Sequence, residues 1–284
     1  MRPRRGDPDG GTMPELIIEP RKRVSHIWRE IWLYRELLFF ITWRDLIVRY
    51  KQTVIGIAWS IARPVITMVV LTVVFGKLAK LPSGDVPYPL MVYAAMLPWQ
   101  FFSGTFSVSA NSLTSNANMI SKTYFPRIIL PATAMLTSLV DFLIAFSIYI
   151  LMMVWYGMWP DWRIAVLPLL MILAAMASLG AGLWVAALNV TYRDFAIVVP
   201  FIMQFGLYVS PVGFSSAVVP EQWRLLYSLN PMVGVIDGFR WALLGGETRL
   251  YMPGFLLSSC LTILIFCFGV RFFHKFERTF ADII

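Results

Sequence analysis

Six stretches of this sequence, at about residues 55–76, 89–110, 128–157, 164–189, 195–214 and 252–270, run almost free of charge. Each is close to the roughly 20 apolar residues a helix needs to cross the hydrocarbon core of a bilayer. In lipid every backbone N–H and C=O must be satisfied internally, which leaves helices or a closed barrel. The apolar runs are continuous rather than alternating, so helices are expected. Charged residues make up 14% of the chain and hydrophobic ones 58%. A soluble domain carries about 25% charged residues. The expected fold is an all-α integral membrane protein with six transmembrane helices.

The remaining segments divide by composition. Residues 1–22 are rich in Arg, Pro, Gly and Asp and read as a disordered tail. No apolar core occurs in the first 25 residues, so no cleavable signal peptide is expected. Residues 23–284 read as one transmembrane domain. Its opening part, 24–51, mixes Ile27, Trp28, Ile31, Trp32, Leu38 and Ile41 with Arg29, Arg35, Arg44 and Arg49. That mixture fits an amphipathic helix lying in the membrane interface, or a short kinked pair of helices. Residues 215–251 carry six charges yet keep short apolar stretches. Two short re-entrant or interfacial helices are expected there, with Pro220 and Pro231 at their starts and Gly245-Gly246 at the second stop.

The net charge is +8. It is explained by orientation better than by nucleic acid. Seventeen of the 24 Lys and Arg residues fall in 1–54, 111–127, 190–194 and 271–284, against six in 77–88, 158–163 and 215–251. Basic residues crowd the cytoplasmic side of membrane proteins. Both termini are therefore expected in the cytoplasm, and 215–251 outside.

The sequence holds no phosphate-binding loop of the form G-x-x-x-x-G-K-[ST], no H-E-x-x-H, no zinc cluster and no nucleophile elbow. Energy for active transport would come from a gradient or from a separate ATPase. Gradient coupling needs ionisable groups deep in the spans, and there are two, Arg63 and Asp141. Arg63 lies about 12 Å into the first span at 1.5 Å per residue and can snorkel to the near interface. Asp141 sits deeper, so it should face protein, water or a partner. The two could pair, although their depths differ.

Arg44, Arg49, Lys51 and Arg63 cluster at the inner face. Arginine geometry suits capture of a phosphate or pyrophosphate headgroup; attraction to anionic inner-leaflet lipid is the other reading. Aromatic residues reach 15% of the chain. Phe142, Phe146 and Tyr149 share a helix face, and Phe201, Phe205 and Tyr208 recur in the fifth span. Such rings offer flat faces to sugars, and equally form interfacial belts and packing. Segment 111–127 mixes polar residues with Met119, Ile120, Tyr124 and Phe125. It reads as a partner-docking loop or a short interfacial helix. Cys260 and Cys267 lie about 10 Å apart along one helix, too far to bridge, and read as small buried hydrophobes.

Several stretches together resemble the type-2 ABC exporter permeases of the polysaccharide branch, which export O-antigen, capsule and teichoic acid. They are Trp43-Arg44-Asp45-Leu46-Ile47-Val48-Arg49-Tyr50-Lys51-Gln52-Thr53 followed by Gly56, Trp59 and Pro64; Asn189-Val190-x-Tyr192-Arg193-Asp194; and Asn230-Pro231-Met232 followed by Gly238-Phe239-Arg240. The resemblance covers about residues 30–275. It implies a homodimer around a channel in the bacterial inner membrane, docked on a dimer of cytosolic ABC ATPases. ATP and Mg would bind that partner, and this chain would hold no cofactor and no catalytic residue. Docking would run through the segment holding Asn116, Asn118, Met119, Ser121, Lys122 and Tyr124. Asn230, Pro231, Gly238, Phe239 and Arg240 would belong to a periplasmic gate. Trp59 would join the six rings above in the glycan channel, and the four inner-face cations would bind the phosphates of a lipid-linked glycan. The alternatives are a type-2 ABC exporter of small drugs or lipids, and a gradient-driven carrier.

Overall fold

The computed structural model describes residues 32–51, 56–84, 86–159, 161–192, 194–245 and 250–277. The N-terminal tail 1–22 and the first part of the interface helix, 24–31, lie outside the described residues. Ten α-helices follow in order: α1 Arg35–Lys51, α2 Gly56–Leu71, α3 Tyr88–Ser115, α4 Ala117–Lys122, α5 Ile129–Trp155, α6 Leu167–Thr191, α7 Phe195–Val209, α8 Glu221–Tyr227, α9 Pro231–Leu244 and α10 Met252–Phe276. No strand occurs among the described residues. Among the described residues four segments are long and apolar enough to cross a membrane: Ala58–Leu78, Ile129–Trp155, Trp162–Thr191 and Met252–Phe276.

Helix α3 is the hub. It packs against α2, α5, α6, α7 and α9, and residues from Leu90 through Trp99 are buried without a break. A helix covered on all sides belongs in the interior of a bundle. Helices α6 and α10 meet backbone to backbone. A Cβ added to Gly180 would lie 2.5 Å from the Phe266 Cα, and one at Gly269 would collide with the Gly180 carbonyl. Small residues at such a crossing supply the close van der Waals contact that joins helices in lipid.

Several boundaries differ from the sequence expectation. Segment 111–127 takes the helical alternative as far as Lys122 and is irregular from 123 to 127: α3 continues through Ser115, turns at Asn116, and resumes as α4. Its polar side chains bond back to their own helix. Asn111 Nδ2 donates to the Ser107 carbonyl at 3.0 Å, and Asn116 Nδ2 to the Ser112 carbonyl at 2.8 Å. Polar residues that bond one turn back remain helical. Helix α7 stops at Val209, five residues early, because Pro211 pushes Ser210 to an extended ψ of 152°. Helix α10 runs on to Phe276, its last turn carrying His274 and Lys275 beside the negative end of the helix dipole. The first span ends in a π-helix, Thr72–Leu78. Cys260 and Cys267, expected to be buried, are free and exposed on α10. An outward face that meets lipid takes a small apolar thiol as readily as a core does.

The bundle has two distinct ends. At one, α1, the α3–α4 corner and the last turn of α10 gather Arg44, Arg49, Lys51, Lys122, Arg127 and Lys275; this is the basic end. There α1 docks through Leu38 and Ile41 onto Leu113, Ile120, Ile129 and Phe273. At the other end lie the start of α3, segment 210–214, α8 and α9. Trp155, Trp159 and Trp162 are exposed there, as in an interfacial aromatic belt.

Candidate functional site

Helix α1 brings three of the four expected phosphate-binding cations to the rim of the basic end. Arg44 is already neutralised: its Nε and Nη2 donate to Asp45 Oδ1 at 2.9 and 2.8 Å, and Nη2 also to Asn116 Oδ1 at 3.3 Å. Arg49 donates from Nη1 to Asp141 Oδ2 on α5. Tyr50 OH donates to Asp141 Oδ1 at 2.5 Å. The two side chains of the Arg49–Asp141 pair are 39% and 38% exposed. Lys51 and Arg63 are exposed and have no ion pair among the described residues. Asp141 therefore meets its partner on α1, not at Arg63. Tyr50 entered the sequence reading only as part of the Trp43–Thr53 stretch and was given no role of its own. Nothing local marks it, since Asp141 lies 91 positions away.

The expected docking segment is a short helix pinned from beneath. Ile120 and Phe125 are buried, while Asn118, Ser121 and Lys122 face outward and Tyr124 is 89% exposed. Met119 packs partly into the core below, and Asn116 forms the corner. The adjoining clasp holds the start of α5 to the end of α10. Backbone N–H of Arg127 donates to Glu277 Oε1 at 3.1 Å, the Arg127 guanidinium donates to the Glu277 carbonyl, and His274 Nδ1 lies 3.0 Å from Glu277 Oε2. Burial opposes charge on Glu277, but the hydrogen bonds from His274 and the Arg127 backbone outweigh it and hold the carboxyl below its ordinary range.

The aromatic residues separate into two groups. Phe142 and Tyr149 are buried inside the protomer and Phe146 packs against the same cluster. Tyr149 stacks on Tyr93 at 6.1 Å, and Phe142 meets Phe101, Phe146 and Phe239. The faces of Phe142 and Tyr149 are spent on helix packing, so these two are corrected from channel residues to core residues. Trp59, Phe201, Phe205 and Tyr208 are exposed. The last three lie four and three residues apart on α7 and share one face. Only Val199 of α7 is buried. Where α7 does touch the hub it does so closely: a Cβ at Gly206 would lie 2.7 Å from the Trp99 ring.

At the end opposite the basic one, Asn230 caps α9. Its Oδ1 accepts from the Met232 N–H at 3.0 Å, and its Nδ2 donates to Ser210 Oγ at 2.9 Å. Pro231 occupies the first helical position, where its missing N–H costs nothing. Gly238 admits the Leu170 side chain: a Cβ there would stand 2.8 Å from Leu170 Cδ2. Phe239 is buried, and Arg240 is 3% exposed. Arg240 donates to the carbonyls of Phe214, Val212 and Met91 at 2.8, 3.0 and 3.3 Å. Tyr88 OH donates to the Gly213 carbonyl at 2.6 Å. Gly238, Phe239 and Arg240 thus point into the protomer and anchor this segment. Its exposed apolar residues are Trp223, Leu225, Leu226 and Leu229, on and just after α8, which sequence reasoning passed over.

Residues 36–244 match the family described as ABC-2 type transporter. The O-antigen export system permease protein RfbA of Klebsiella pneumoniae is 29% identical over 259 residues, covering 88% of this chain and 95% of that protein. The protein of the same name from Myxococcus xanthus is 26% identical, over 75% of this chain and 82% of its own length. The polysialic acid transport protein KpsM of Escherichia coli is 24% identical, over 72% and 79%.

Proposed function

The chain belongs to the ABC-2 type transporter family, and on that premise we propose that it is the membrane subunit of an ATP-driven exporter of lipid-linked polysaccharide in the bacterial inner membrane. The names and near-full-length coverage of the relatives support the substrate class. Six crossings are made by α2 with its π-helical end, α3, α5, α6, α7 and α10. Helix α3 crosses although it carries more polar residues than the others, because the bundle covers it. The basic end lies in the cytoplasm with both termini, and α8 and α9 lie at the periplasmic face.

The observation that carries the reading is the α7 face of Phe201, Phe205 and Tyr208. These rings are unburied in the protomer and, with Trp59, would line a channel completed by a second copy. Flat apolar rings stack on sugars without demanding one linkage, which suits a long glycan. At the cytoplasmic rim Arg49, Lys51 and Arg63 engage the carrier phosphates. Helix α4 and Tyr124 dock on a separate ABC ATPase dimer, which binds ATP and Mg. Closure of that dimer pushes α4, and the push passes along α3 into the bundle, switching it between two arrangements. Helix α8, with its exposed Trp223 and leucines, closes the outer mouth.

Deleting the gene tests the reading. Lipid-linked glycan is expected to accumulate in the cytoplasm while surface glycan disappears, and Phe201→Ala/Phe205→Ala is expected to restore little export while assembling normally. Normal surface glycan together with new drug sensitivity would instead make the protein an exporter of small molecules. Uptake by this chain alone in vesicles without ATP would make it a gradient-driven carrier.

A further inference from the structure

Asp141 is the only acid in the four long apolar segments. It lies about 18 Å along α5 from Ile129 at 1.5 Å per residue. Both of its oxygens are engaged by α1, one by Arg49 and one by Tyr50. One carboxylate therefore ties α1 to α5. The tie has little help, because no residue of α1 from Trp43 to Lys51 is buried.

We propose that Asp141 is a built-in counter-ion that the carrier phosphate displaces from Arg49, so that capture of the lipid headgroup and release of the end of α1 from α5 are one event. The proposal rests on the carrier-phosphate reading above. Of the rim cations, Arg44 is held by Asp45 on its own helix and by the Asn116 amide, whereas Lys51 and Arg63 have no ion pair among the described residues. Arg49 alone has its charge taken up by a residue of another crossing helix. A guanidinium has five N–H donors, and Asp141 occupies one nitrogen of Arg49. Phosphate offers more charge and more acceptor oxygens than a carboxylate and accepts a two-pronged bond from arginine. The pair is open enough for such an exchange, since both members are more than a third exposed. Lys51, two residues on along α1, adds positive charge at this end of the helix and favours an incoming phosphate over Asp141. Once Arg49 turns to the headgroup, Tyr50 alone holds the Trp43–Lys51 half of α1 to Asp141, while Leu38 and Ile41 keep its first half docked.

The test uses the full chain with its ATPase partner in nanodiscs of zwitterionic lipid, titrated with undecaprenyl phosphate. Asp141→Asn is expected to bind about two- to fivefold more tightly, the range a part-exposed ion pair allows. Asn keeps an acceptor for Tyr50 and brings less charge into the bilayer, so the variant should fold. Tyr50→Phe, which loosens the carboxylate without touching charge, is expected to tighten binding by less. Arg49→Gln is expected to weaken binding and to make a second Asp141→Asn change silent, the coupling expected of one shared site. Spin labels at Val48 and Leu143 should move apart on titration in the wild type and stand apart beforehand in Asp141→Asn. Phosphatidylglycerol and inorganic pyrophosphate at the same concentrations should produce neither effect. If Arg49→Gln weakens binding but neither Asp141→Asn nor Tyr50→Phe tightens it, the displacement is wrong while the phosphate reading stands. If Arg49→Gln leaves binding unchanged, the phosphate reading falls and the proposal with it. Equal displacement by phosphatidylglycerol or pyrophosphate would overturn the carrier as the source of the phosphate.

Discussion

The two ends of the bundle solve the same problem in opposite ways. Each has an arginine from one element reaching oxygens on another. Arg240 is buried and spreads its donors over three carbonyls from α3 and segment 210–214. Arg49 is 39% exposed and meets a single carboxylate. A buried, fully satisfied guanidinium cannot leave without stranding itself and its acceptors. A half-exposed pair exchanges partners at little cost. The comparison teaches which joints are fixed. Segment 210–214 and α9 are anchored to α3 through this fan of bonds. Helix α1 is joined to α5 by a single half-exposed ion pair, the bond proposed to pass to a phosphate.

The sharpest way to break this contrast is to remove the buried arginine. Arg240→Met leaves the Val212 and Phe214 carbonyls without a donor and should destabilise the protein by at least about 2 kcal/mol, seen as a clear drop in melting temperature in detergent. Arg240→Lys should rescue poorly, because a compact ammonium cannot reproduce the guanidinium fork across three acceptors. An unchanged melting temperature would mean the outer segment is not anchored there. Next in size is the cap beside it. Asn230→Ala loses the bond from the Met232 N–H and the bond to Ser210, which should cost about 1 kcal/mol. At the basic end Asp141→Asn should shift stability by less than about 1 kcal/mol in either direction. A larger loss there would erase the distinction between a fixed end and an exchangeable one.

How much of this was legible in the sequence depended on whether the signal was local. The long apolar runs of α5, α6 and α10 fixed their own identity, because length and hydropathy alone decide what crosses a bilayer. The two short helices after 215 were marked by Pro220, Pro231 and Gly245, residues that act on the backbone where they stand. The end of α3 was misjudged because Asn111 and Asn116 look like loop residues until their bonds to Ser107 and Ser112 are seen. The rings of α5 show the limit of periodicity. Spacing places Phe142, Phe146 and Tyr149 on one face, but cannot tell whether that face meets a channel or the hub. Partners far apart in sequence were out of reach altogether. Asp141 plainly needed a partner, yet Arg49 lies 92 positions away, and only the path of α1 along α5 brings them together.

The basic end is not loose throughout, and the smallest expected effect sharpens the comparison there. Glu277 joins the end of α10 to the start of α5 through the Arg127 backbone N–H and His274. These donors hold its carboxyl below the ordinary range despite burial. A depressed carboxyl favours the folded state at pH above its unfolded value, near 4.3, and that contribution disappears as pH falls through the lower folded value. The wild type should therefore lose melting temperature between about pH 5 and pH 3 more steeply than Glu277→Gln. The variant should melt lower than the wild type at pH 7, and the gap should close in acid. Parallel curves would show that the clasp contributes nothing through its charge. Convergence would show that the charge of Glu277 holds the α5–α10 joint, about 18 Å along α5 from the Arg49–Asp141 pair.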